Sequence, residues 1–119
     1  MSEISDSSVI SALRRQMTIA VAKQVAAAGN LANVDTPGYV RKDVDFHDAL
    51  RNAMGDGGDV SAMSFTPQAD ASAPVRVDGN SVDVDAESSA IAQNSLEYDS
   101  LARVSAARID ILKSAMGLA

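Results

Sequence analysis

The side chains best placed to do chemistry in this chain are His47 and the carboxylates around it, Asp43, Asp45 and Asp48. Imidazole and carboxylate together suit hard or borderline divalent cations. The calcium-loop pattern fails, however, because Asp48 stands where a glycine is needed at the sixth position from Asp43, and Met54 holds the twelfth. His47 is the only histidine, so it is the only imidazole base, and no G-x-S-x-G turn offers it a serine nucleophile. A phosphate loop fares no better, since Gly55 to Gly58 runs into Asp59 rather than Lys-Ser/Thr. The chain has no cysteine, hence no thiolate site, no Cys nucleophile and no disulfide. These residues read as a solvated acidic segment. The expectation is a non-enzyme with no metal and no cofactor.

A second group of residues acts through backbone chemistry. Asn30-Leu31-Ala32-Asn33-Val34-Asp35-Thr36-Pro37-Gly38-Tyr39 closes a long Ala-rich stretch. Pro37 fixes its own φ, has no N–H to donate and pushes Thr36 out of the helical region. Gly38 accepts a positive φ, and Asn30, Asn33 and Asp35 can bond nearby backbone groups. The segment is a helix end followed by a fixed change of direction.

Two long helices must position that turn. Ser5, Asp6, Ser7 and Ser8 supply N-cap oxygens before an apolar-periodic run. Ile10, Leu13, Met17, Ala20, Gln24, Ala27 and Leu31 then recur at alternating steps of three and four, a heptad seam broken only by the polar Gln24. Val9, Val21 and Val25 widen the stripe, and Val25 to Gly29 is small-sided enough to admit another backbone. The pattern predicts a helix over 7–34. Gly29 costs about 1 kcal/mol there relative to Ala, which close packing or the nearby helix end would offset.

A second helix begins at Asp83 or Asp85, with Asp85 and Glu87 near the positive end of its dipole. Ile91, Tyr98, Leu101, Ser105, Ile109, Leu112 and Met116 trace one face, Val104, Ile111 and Ala115 broaden it, and Gly117 ends it. Between the helices, residues 40–46 alternate as an extended arm, and Phe46 and Leu50 stand one helical turn apart. Residues 52–74 look like a flexible linker. Alternating valines around Asp78-Gly79 signal a small β-hairpin at 75–82.

Composition fits this outline. Of 119 residues 46% are apolar, but mostly Ala and Val, with two Phe, two Tyr and no Trp. Large side chains supply most of a core's buried area, so this core is thin and much of the burial is left to a partner. Net charge is −6, and residues 1–40 and 88–119 are each neutral, so the whole excess lies in 41–87. Neutral ends suit helices that pack together, with an acidic middle facing water. No basic stripe exists to neutralise phosphates, which disfavours nucleic acid. No apolar run reaches the ~20 residues of a membrane span, and the start lacks the basic and apolar regions of a Sec signal peptide. The expected fold class is mainly α: long N- and C-terminal helices pairing as a coiled-coil layer, with a short extended or β-hairpin segment and a flexible middle. The divisions fall at 1–36, 37–82 and 83–119. An ordinary helical hairpin and a pair that orders fully only among neighbouring subunits both satisfy the pattern.

The wording N-L-A-N-x-x-T-P-G-Y, here Asn30, Leu31, Ala32, Asn33, Thr36, Pro37, Gly38 and Tyr39, resembles the N-terminal signature of the bacterial flagellar rod and hook proteins. Arg41 to Phe46, Asp78 to Asp85, then Glu87, Asn94, Tyr98 and Leu112 to Met116 resemble the proximal-rod members of that family. Ser88-Ser89 departs from them, where relatives often carry a longer aliphatic residue. The resemblance implies a structural subunit of the basal-body rod, the drive shaft that carries torque across the periplasm, exported by the flagellar type III system and stacked helically. It implies that the helix seams, Ile10, Leu13, Met17, Ala20, Ala27 and Leu31 against Ile91, Tyr98, Leu101, Ile109, Leu112 and Met116, form the inner coiled-coil layer. Implied partners are other copies of the chain, the sister rod protein FlgC, FliE, the MS-ring protein FliF and the export gate, which would read Phe46-x-x-x-Leu50. The alternatives are FlgC or another rod subunit and, of a different class, a cytoplasmic coiled-coil adaptor or chaperone.

Overall fold

The heptad spacing of the two terminal segments dictates two amphipathic helices, and the computed structural model, which describes residues 6–47, 51 and 65–117, contains both. Helix α1 runs Asp6–Ala32 and α2 runs Val84–Ala115. They pack antiparallel: Asn30 meets Glu87, Gln24 meets Asn94, and Met17 meets Ser105. The fold is mainly α, as the periodicity predicts.

The helix ends follow local chemistry. The Asp83 carboxylate caps α2, accepting from the N–H groups of Asp85 at 3.0 Å and Ala86 at 3.2 Å. Asp85 and Glu87 sit in the first turn and Lys113 in the last, matching the helix dipole at both ends. Gly117, at φ 73°, closes the C-terminus by donating to Ser114 O. At the end of α1 the chain tightens into successive turns, Asn33 N–H to Asn30 O and Val34 N–H to Leu31 O, before Pro37. Ser5 and Leu50 lie outside the described residues, as do 52–64, which carry most of the expected linker.

Two differences from the sequence pattern concern the middle. The strands that pair are β1 (Lys42–Asp43) and β2 (Gln68–Ala69), antiparallel, with Lys42 opposite Ala69 and Asp43 opposite Gln68. The second of these falls inside the stretch read as linker, because Arg41 holds it. Its carbonyl accepts from Asp70 N–H and its guanidinium pairs with the Asp70 carboxylate. The Asp78-Gly79 turn does form, closed by Gly79 N–H to Arg76 O and Arg76 N–H to Asn80 O. Its flanking valines do not pair as strands. Val75 and Val77 stay exposed, since an Asn side chain rather than a ladder anchors the loop.

The core is as thin as the composition requires. The buried apolar residues among those described are Ile19, Ala20, Ala26, Ala27, Val44 and Val82. The largest fully buried side chains are polar: Glu87, Asn30 and Asn80. No described helix is long and apolar enough to cross a membrane.

Candidate functional site

Buried amides and carboxylates are costly unless bonded, so three of them together must form a satisfied network. Asn30, in the last turn of α1, is 0% exposed and uses its whole amide. Its Nδ2 donates to Lys42 O at 2.8 Å and to Glu87 Oε1 at 3.1 Å. Its Oδ1 accepts from Lys42 N–H at 2.9 Å and from the Tyr39 hydroxyl at 3.3 Å. One side chain thereby ties α1 to the arm and to the first turn of α2.

Asn80 does the same for the far side of the turn. Its Nδ2 lies within 3.0 Å of three carbonyl oxygens, those of Asn33, Val34 and Thr36. Those carbonyls follow the end of α1, where helical partners run out. The Asn80 Oδ1 accepts from Val82 N–H at 2.7 Å, and Arg76 adds a guanidinium N–H to Val34 O. Two turns then meet back to back. Gly38 N–H donates to Asp78 O and Ser81 N–H to Tyr39 O. Gly38 and Gly79 have φ of 74° and 85°, and a Cβ on Gly79 would lie 3.1 Å from Gly38 Cα. Only glycine fits both the conformation and the gap.

Electrostatics complete the junction. Glu87, 2% exposed, accepts from Arg41 Nε at 2.8 Å as well as from Asn30. Burial pushes the Arg41 guanidinium down, but the hydrogen bonds it donates to Glu87 and Asp70 and the charges of Glu87 and Asp43 outweigh it, so its pKa rises. Asp70 is held below the usual carboxylate range. The Ser72 hydroxyl and N–H bond it first, and Arg41 adds a further bond and its charge. Arg41 N–H also donates to Ser81 Oγ at 2.8 Å. The result is a hydrogen-bonded corner that joins the end of α1, the arm and the first turn of α2.

No protein-family model matches the chain. Among curated proteins, it is 35% identical over 96 residues to the flagellar basal body rod protein FlgB of Escherichia coli, covering 64% of this chain and 69% of that protein. The FlgB of Aeromonas hydrophila is 38% identical over 84 residues, with 60% and 64% covered. The FlgB of Bacillus subtilis is 28% identical over 122 residues, spanning 92% of this chain and 94% of its own. The chain belongs to the FlgB family.

In this FlgB-family chain the signature residues divide by role. Asn30 is the buried anchor, and Leu31 and Tyr39 are half-buried beside it. Asn33 donates to Gly29 O and accepts from the Thr36 hydroxyl, while Ala32, Thr36, Pro37 and Gly38 are exposed. Of the expected helix-packing residues, Ala20 and Ala27 are buried, and Ile10, Leu13, Met17, Ile91, Leu101 and Leu112 are half-buried. Tyr98 and Ile109 lie at the exposed margin of the seam, and Met116 stands past the last turn of α2. Phe46 stacks on Phe65 at 6.4 Å between ring centroids and meets His47 edge-on at 6.1 Å. A Cβ on Gly29 would meet nothing within 4 Å, so close packing among the described residues does not require that glycine.

The sequence places Arg41, Asn80, Ser81 and Glu87 in family-like segments but does not reveal that they form the junction's other half with Asp70, or that Glu87 pairs with Arg41. The available signal was weak. It consisted of a glycine-flanked Asn80 and a carboxylate at 87 placed on the apolar side of its helix.

Proposed function

We propose that this chain is a structural subunit of the proximal rod, stacked helically with its neighbours to form the shaft that transmits torque across the periplasm. The observation that carries the reading is an inversion of burial. The largest fully buried side chains are polar, while Leu96 (69% exposed), Ile111 (65%), Val25 and Val104 stay open on the helices. Such a chain fixes its own corner with hydrogen bonds and leaves apolar area for other subunits. Repeating heterologous contacts that do not close produce a helical filament.

In this reading residues 1–36 and 83–119 form the inner coiled-coil layer and 37–82 the outer arm. The family membership supports placing the chain beside further copies of itself, FlgC, FliE and FliF. Export runs through the flagellar type III gate with Phe46 and Leu50 as the recognition pair. A chain with so thin a core threads such a channel at low unfolding cost. Removal of residues 105–119 tests the assembly role. Export persists and the truncated chain is absent from purified basal bodies; normal motility of that strain would refute it.

A further inference from the structure

The α1 seam carries one polar residue, Gln24, and the structure sets a second opposite it. Asn94 of α2 is buried, donates to Gln24 Oε1 at 2.9 Å, and reaches across to the main-chain Ala20 O at 2.6 Å. Gln24 in turn donates to Ser95 Oγ at 3.3 Å. The layer is not fully satisfied, because the buried Asn94 Oδ1 has no hydrogen-bond partner. A layer of this kind stabilises less than apolar packing would.

We infer that the Gln24–Asn94 layer sets the axial register of α1 against α2. The apolar residues of the seam cannot do so, since Ala, Leu, Ile and Met at heptad spacing match nearly as well after a slip of one heptad; the Asn30–Glu87 bond holds the same register at the corner and is weakened separately in the test. After that slip Asn94 stands opposite Met17, without a side-chain acceptor, and Glu87 stands opposite Gln24, away from Arg41. The layer also acts before the arm docks, because it draws on the two helices alone. The inference goes beyond the rod reading and holds whether or not subunits stack.

The absence of native cysteine makes the test direct. Ser105 Oγ lies 3.9 Å from Met17 Sδ, so Met17→Cys with Ser105→Cys reports the observed register. Met17→Cys with Ile91→Cys reports the slipped one: Asn94 meets Ala20 and Gln24, so in the observed register Ile91 lies beyond Gln24 and out of disulfide reach of Met17, and only the slip brings it alongside. In the otherwise native full chain the first pair closes about tenfold or more faster than the second. That preference survives Glu87→Gln, which weakens the buried corner. It falls to within about threefold in the Gln24→Leu, Asn94→Leu chain, whose helical circular dichroism is retained or raised. A preference that persists in the double-Leu chain overturns the inference. So does one lost with Glu87→Gln, one absent from the native background, or a fall in helicity on the Leu substitutions.

Discussion

Asp70 makes one edge of the corner sensitive to acid. Its carboxylate is exposed enough to meet water, yet Ser72 and Arg41 hold its pKa below the ordinary value. A carboxylate depressed in the folded state contributes stability that is fully present above its unfolded pKa of about 4 and is lost as pH falls through the folded value. The pairing of β2 with the arm should therefore be flat from pH 8 down to about 5 and weaken below about 4. Amide exchange at Asp70, whose N–H donates to Arg41 O, reads this directly. In Asp70→Asn the same amide should exchange faster at pH 7 and lose its acid dependence. An unchanged exchange rate in that variant would show that the Arg41–Asp70 pair does not hold the strand.

At the scale of elements, each helix was legible because a 3.5-residue repeat depends on residue type alone, and local side chains cap α2 at Asp83 and close it at Gly117. The corner that joins the helices was only half legible. Pro37 and Gly38 announce that the chain must turn, but the partner of that turn lies at 76–81, far along the sequence. A buried Asn80 bonding three distant carbonyls has no periodicity to betray it. The same distance misled the reading of 52–74 as linker, where prolines bracket an Ala/Ser/Asp stretch and yet pairing with β1 and the Arg41 contacts hold Gln68 to Asp70. Gly79 is the point at which the two turns depend on each other. Gly79→Ala adds a Cβ 3.1 Å from Gly38 Cα and forces a left-handed φ on alanine, which costs about 1–2 kcal/mol from the backbone alone. The expected result is a lower thermal midpoint, with helical content nearly unchanged. A midpoint equal to that of the native chain would mean the turns are free to separate.

For the molecule as a whole, the question is where the apolar area that the core does not use is spent. The chain measures 62 × 34 × 19 Å, too slender to enclose much, and its helices carry large aliphatic side chains on their outer faces. Leu96 and Ile111 are the most exposed of these on α2, and the hydrogen bonds of the corner and of the Gln24–Asn94 layer involve neither. Replacing both with Glu should leave the isolated chain's unfolding midpoint within the range of ordinary surface changes, about 0.5 kcal/mol. In a filament the same charges would face a desolvated apolar neighbour at every repeat, and the penalty recurs with each subunit added. The double variant should therefore be exported at the native level and be depleted from purified basal bodies. Truncation at 105 removes helix as well as surface, whereas this variant removes only the surface, so depletion here would assign the loss to packing between subunits. Incorporation at the native level would move the packing face from α2 to the other exposed apolar side of the pair, Val21 and Val25 on α1.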